Sequence, residues 1–196
     1  MIDLKKPLQI YTEKRDRENK VGRYSCSSIY AFLQGWETPE DFIKGKQMDF
    51  AGQFNCWEGT YKHKAIEELM EILGYETEVK KEMKVGDFTI VGIADYLSKD
   101  EVSDLKTSRE LYSKAKKWHE FQVKLYCTLF EKPVGKIMQP VFEEEYKPNK
   151  VGIPKPVPTN FYLKEIGSVK RDDSWFKKEM EKLSAFHKEV VKLKNK

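Results

Sequence analysis

No stretch of the sequence approaches the ~20 consecutive apolar residues of a membrane-spanning helix, so no membrane partner is expected. The opening Met1-Ile2-Asp3-Leu4-Lys5-Lys6 lacks the apolar core of a signal peptide. Cysteine is scarce: Cys26, Cys56 and Cys127 are an odd number without CxxC spacing, which does not suggest a disulfide framework or a zinc site. A reducing, cytoplasmic setting is therefore expected (the host cytoplasm if the gene is phage-borne). Charge of one sign is also lacking. The 36 basic residues against 32 acidic leave a net +4, a weak pointer to a polyanionic partner, because local clustering matters more than the total. There is no internal repeat and no composition shift marking a boundary. A single domain over 1–196 follows, with about 1–57 as lead-in and helical cap and 58–196 as core.

The 196 residues are enough to bury a core, and 39% hydrophobic content with 13% aromatic residues excludes wholesale disorder. Residues 1–24 read as an irregular or strand-like lead-in, followed by a short helix from Ser27 to about Gly35. Thr38 then caps a helix with Pro39 in its first turn. A longer helix is expected from about Trp57 to Leu73, ended by Gly74. Strands follow at Glu76–Met83, Asp87–Ser98 and Glu101–Thr107, joined by turns at Val85-Gly86-Asp87 and Lys99-Asp100. A helix is expected over about Arg109–Phe130. Strands near Lys136–Glu143 and Thr159–Ile166 then flank a proline-rich loop at Pro148–Pro158. The last helix starts near Asp173 and carries Phe176, Met180, Leu183, Val190 and Leu193 at near-helical spacing. The order gives one mixed α/β layer structure.

The informative residues are polar ones where periodicity asks for apolar ones. On the first long helix Gly59, His63, Ile66, Met70 and Leu73 share a stripe, with Glu67 at its edge. A lone inward histidine is more often a satisfied core residue than a ligand. Along Val91, Ile93 and Asp95 one strand face alternates, so a carboxylate stands where an aliphatic side chain belongs, unless the strand ends there and Asp95 is solvated. Asp104 and Lys106 are two apart, on one face with Val102 and roughly 7 Å between Cα atoms; they could equally be an ordinary ion pair. On the next helix Leu111, Ala115, Trp118, Leu125 and Leu129 form a stripe with Gln122 in its middle and Tyr126 one turn on. A buried amide needs partners, which bracing explains as readily as function. Neighbouring strands would carry Asp95 and Asp104, and the flanking helices can bring His63 and Gln122 to the same end. Two carboxylates and an imidazole suit a hard cation, with Lys106 close enough to handle a water or phosphate.

The ordered segments Gly59-Thr60-Tyr61-Lys62-His63-Lys64-Ala65-Ile66-Glu67, Gly92-Ile93-Ala94-Asp95, Val102-Ser103-Asp104-Leu105-Lys106-Thr107 and Gln122-Val123-Lys124-Leu125-Tyr126 resemble the PD-(D/E)xK nuclease superfamily. The resemblance is strongest to its RecB-like branch, with the phage and mitochondrial genome maintenance exonucleases. It implies a mixed central sheet flanked by helices, a core of order αβββαβ with an N-terminal helical cap and a C-terminal helix. It also implies that Asp95 and Asp104 hold Mg²⁺ or Mn²⁺ with His63, the Leu105 carbonyl and Glu67. Lys106 would handle the attacking water and the phosphate, while Gln122 and Tyr126 brace the site. Ala94 stands where the proline of the family motif is found, and Asp104 where a Glu is common. The iron–sulfur relatives need four cysteines, so no cluster is expected.

The activity implied is hydrolysis of DNA phosphodiester bonds in replication, recombination or repair, as an exonuclease favouring single strands or free ends. Lys62, Lys64, Arg109, Lys114 and Lys117, with Lys116, are the candidate DNA contacts. Trp36, Phe42, Phe50, Phe54 and Trp57 are candidates for stacking on unpaired bases, though for any one of them a core role is the commoner outcome. Two rivals stand beside this reading: a non-catalytic nucleic-acid-binding member of the same fold, and a protein-interaction domain holding a buried ion network.

Overall fold

The computed structural model of the protein describes residues 5–8, 20–45, 48–108 and 110–196. In chain order the elements are β1 (Arg23–Ser25), α1 (Cys26–Leu33), α2 (Pro39–Lys44), α3 (Phe50–Ile72), β2 (Glu76–Val85), β3 (Phe88–Leu97) and β4 (Glu101–Leu105). They continue with α4 (Lys117–Leu129), β5 (Val134–Pro148), β6 (Pro154–Lys170) and α5 (Asp173–Lys194). From α3 to β5 this is the anticipated αβββαβ order, set in a mixed six-stranded sheet with helices on either side and at the C-terminus.

The centre of the design is β3. One of its edges is taken along its whole length by antiparallel β2, from Val85 opposite Phe88 to Glu76 opposite Leu97. Two strands therefore share the other edge, end to end. β1 pairs parallel with Thr89–Val91, and β4 pairs antiparallel with Tyr96 and Leu97. Residues 92–95 face the gap between them. The strict alternation expected along β3 also ends there: Ala94 and Leu97 pack in the main core while Tyr96 packs with Ile66 and Met70 of α3. Opposite Asp95 the β2–β3 register passes over Glu78, which holds a left-handed φ of +47°.

Helix α4 lies unusually close on the sheet. A Cβ on Gly92 would stand 2.6 Å from Leu129 Cδ2, and one on Gly135 2.4 Å from Val123 Cγ1. Both strand glycines thus exist to let the helix approach. The main core unites Tyr24, Ile29, Phe32, Ile90, Val102, Leu125, Leu129 and Leu183 from β1, α1, β3, β4, α4 and α5.

Four sequence expectations change. Residues 5–8 are helical, not irregular or strand-like, and residues 9–19 of that lead-in lie outside the described ones. α3 starts at Phe50 rather than Trp57, because Asp49 caps it by accepting from the Gly52 N–H at 2.8 Å. α4 starts at Lys117 rather than Arg109. The preceding loop is pinned by the buried side chain of Gln139, which accepts from the Tyr112 N–H at 2.8 Å and donates to the Glu110 carbonyl. Leu111 and Trp118 are consequently exposed and not part of an apolar stripe. The proline-rich stretch is strand, not loop. Pro154, Pro156 and Pro158 pair with Pro148, Tyr146 and Glu144, and their period of two keeps the missing N–H groups on the open side of an edge strand.

Candidate active site

The gap along β3 is the floor of a cleft of about 350 Å³. It is lined by Ser27, His63, Ile93, Asp95, Asp104, Leu105, Lys106, Thr107, Ser108, Tyr112, His119, Gln122 and Tyr126. Seven residues singled out from sequence meet here, one from α3, one from β3, three around the end of β4 and two from α4. An apolar cleft of about 380 Å³ between α3 and the β5–β6 hairpin is slightly larger, but its lining holds no comparable polar set.

On the α3 side, His63 Nδ1 lies 3.2 Å from Asp95 Oδ1, and the other Asp95 oxygen accepts the Leu105 N–H. His63, Glu67 and Asp95 can each offer one ligand atom within 4.8 Å of the others. Asp104 is not part of that group. Its Oδ1 accepts from Gln122 Nε2 at 2.9 Å, and its Oδ2 sits 2.6 Å from Lys106 Nζ. That oxygen is buried, and the Lys106 ammonium is the charge that faces it. Gln122 also accepts from Lys106 Nζ at 3.2 Å and donates to the Tyr126 hydroxyl at 2.8 Å. One amide therefore orients the acid, the lysine and the tyrosine. α4 can present it because Gly92 leaves room for Tyr126.

The electrostatics reflect crowded acids in a partly dry site. Burial pushes the Asp104 carboxyl up to about 6, with Lys106 opposing and Asp95 reinforcing. Burial, Glu78 and Asp95 raise Glu67 to about 7. For His63 burial works against the proton, but the hydrogen bond and charge of Asp95, with Asp104 and Glu67, outweigh it and the net shift is upward. Such a cluster stores negative charge that a cation relieves. The imidazole nitrogen and carboxylate oxygens that His63, Glu67 and Asp95 bring together suit a hard divalent ion, with the buried Asp104 carboxylate across the same cleft.

Several cleft residues escaped the sequence reading. His119 is buried and held down to about 4 by burial, with Lys106 and Lys116 adding repulsion. Tyr112, also missed, has the Lys116 ammonium 4.5 Å from its ring centre, and the same ammonium is 5.1 Å from that of Trp118. His119 precedes Gln122 by nearly one helical turn and so shares its side of α4. Of the candidate DNA contacts, Lys64, Lys114 and Lys117 are exposed, Lys62 pairs with Glu58 at 3.2 Å, and Arg109 lies outside the described residues. Of the candidate stacking residues, Phe42 is core, whereas Trp36, Phe50 and Trp57 are exposed and Phe54 is half-buried.

The sequence profile of the PD-(D/E)XK nuclease superfamily matches residues 13–192. Among solved structures, SSO0001 superposes with a TM-score of 0.61 at 19% identity, over 98% of this chain and 84% of that one. An alkaline exonuclease (LHK-Exo) from Laribacter hongkongensis gives 0.56 at 15% identity, over 89% and 93% of the two chains; it is also known in complex with dAMP. A phage-related exonuclease from Haemophilus somnus 129PT gives 0.55 at 18%, over 88% and 95%. No curated protein matches the chain in sequence.

Proposed function

Because the chain belongs to the PD-(D/E)XK nuclease superfamily, we propose that it is a divalent-metal-dependent deoxyribonuclease acting from free ends, with a preference for single strands. The observation that carries the reading is the pairing of two devices across one cleft: the His63–Glu67–Asp95 cluster, and the Asp104–Lys106 pair tethered by Gln122. His63, Asp95 and Asp104 would hold Mg²⁺ or Mn²⁺, with Glu67 and the Leu105 carbonyl beside them. When bound, the cation supplies positive charge for the phosphate and acidifies a water.

The chain's own residues supply the remainder. Lys106, fixed by Gln122 and Asp104, presents its ammonium to the attacking water and to a phosphate oxygen, where charge grows as the water oxygen bonds to phosphorus and the bond to the leaving sugar oxygen breaks. Gln122 keeps Asp104 from rotating away, and Tyr126 anchors Gln122. Exposed Trp36 and Trp57 offer faces for unpaired bases at ~1–3 kcal/mol per base without reading sequence. Free-end action is further supported by the names of two structural neighbours, both exonucleases, and by the dAMP complex of one of them. Replication, recombination or repair is the setting that such an activity fits.

The test is purified protein with Mg²⁺ or Mn²⁺ on linear and covalently circular, single- and double-stranded DNA. Loss of the linear forms with circles intact is the expected result. Equal cleavage of circles would make it an endonuclease. No cleavage of any form, with DNA still bound, would leave a non-catalytic DNA-binding protein.

A further inference from the structure

β5 runs parallel to β4, with Met138 level with Leu105 and the Lys106 N–H donating to the Met138 carbonyl at 2.8 Å. The two strands therefore leave the sheet at the same end, and that end carries Asp104 and Lys106. β4 stops there. β5 continues to Pro148 and pairs with β6 to the tip; residues 139–141 are still buried, so the free two-stranded arm runs from Phe142 and projects roughly 20 Å at ~3.3 Å per residue.

This arm packs against little, since residues 142–162 are all exposed, yet its shape is fixed. Phe142 and Phe161 stack at its base with ring centres 4.5 Å apart and planes 8° from parallel. The prolines of β6 stiffen its open edge. At the tip the Asn149 side chain accepts from the Val151 and Ile153 N–H groups at 2.9 and 3.0 Å. The acids of the arm, Glu143, Glu144 and Glu145, stand together near its base, while the outer part from Tyr146 to Val157 carries Lys147, Lys150 and Lys155, with exposed Val151 and Ile153 among them. Lys147 does reach Glu145 at 3.1 Å, but both are solvated and the pair is weak.

We infer that this arm is a duplex-DNA grip, laid in a groove of the double-stranded DNA that continues from the strand end in the cleft. A two-stranded β-ribbon fits the ~12 Å major groove, the lysines at its tip suit phosphates, and ~20 Å spans a little over half a duplex turn of ~34 Å. The substrate class is thus a single-stranded end continuous with duplex. The inference rests on the proposal that DNA is the substrate.

The experiment compares the wild-type chain with Lys147→Gln/Lys150→Gln/Lys155→Gln and with Val151→Ser/Ile153→Ser. Dissociation constants in EDTA are measured on a duplex bearing a single-stranded overhang and on the overhang strand alone. Cleavage in Mg²⁺ is measured on a single strand too short to reach the arm. The triple variant should lose about ten- to hundredfold in affinity for the duplex substrate. Its salt dependence should flatten by about 2–3 in log–log slope, at ~0.9 per phosphate contact. Binding of the overhang strand and cleavage of the short strand should stay at wild-type levels. Unchanged duplex affinity in both variants would overturn the inference. So would a wild-type oligomer that either variant dissociates without altering DNA affinity, because the arm would then be a subunit contact. If wild type cleaves nothing but the triple variant still loses duplex affinity, the proposed activity fails and the grip stands.

Discussion

The Gln122 amide donates to Asp104 Oδ1 at 2.9 Å while its oxygen faces Lys106 Nζ at 3.2 Å, so one side chain braces both members of an ion pair whose own contact is 2.6 Å. Gln122→Ala should cut the cleavage rate about 10–100-fold, the usual cost of losing an orienting partner in a metal site. Gln122 is only half-buried, so thermal stability should change little. A full-rate variant measured under metal saturation would remove Gln122 from the mechanism.

The acids predict how metal binding follows pH. Folded, metal-free Glu67 titrates near 7 and Asp104 near 6, both raised first by burial. Raised carboxyl values mean that the apo fold binds protons its unfolded chain releases. These two groups therefore favour the apo fold below ~4.5 and lose that contribution as pH rises through about 6 to 7. A cation competes for the same oxygens, so its affinity falls as pH drops through that window. Thermal melts at pH 8 and pH 5.5 should show a larger Mg²⁺-induced rise at pH 8, and Glu67→Gln should shrink the difference. An equal rise at both values would speak against these carboxylates as ligands.

His63 is the point at which a core role and a ligand role diverge. His63→Ala should raise the metal concentration needed for half-maximal cleavage. Unchanged metal dependence with a lowered melting temperature would make His63 a packing residue that merely touches Asp95.

Gly92→Ala tests whether close packing of α4 positions the site. The added methyl would meet Leu129 at 2.6 Å and Tyr126 at 2.9 Å. Overpacking should cost about 1–3 kcal/mol, or about 2–4 °C in melting temperature per kcal/mol, and activity should fall further than stability. A variant with native stability and rate would show that the helix yields freely.

Much of this was legible from local chemistry. The Thr38 cap with Pro39 and the turn at Gly86 fix their own neighbourhoods: α2 starts at Pro39 as expected, and the strands of the β2–β3 hairpin fall within two residues of expectation. What was not legible depends on distant partners. Nothing near residues 109–116 announces that Gln139, far along the chain, will hold their backbone out of a helix. The prolines at 154, 156 and 158 look like a loop until β5 is seen to run on beside them. Strand parity and helix phase marked His63, Asp95, Asp104, Lys106 and Gln122 as polar residues in apolar places, and the family resemblance gave them roles and added the Leu105 carbonyl. Their division into an α3-side trio and an α4-side pair follows from β1 and β4 sharing one edge of β3, which no spacing reveals.

The most direct measurement of the central claim is the rate at which end-labelled linear single-stranded DNA is cleaved by wild type and by Lys106→Ala, each saturated with Mg²⁺ or Mn²⁺ and checked for a folded state. Lys106 is the one cation held between Gln122 and the buried oxygen of Asp104 among the described residues. Its loss should lower the rate about 10²–10⁴-fold, the range typical of a group acting on the transferred proton or the developing charge, with the wild-type rate abolished by EDTA. A Lys106→Ala protein that cleaves at near-wild-type rate would contradict the assignment of this cleft as the active site.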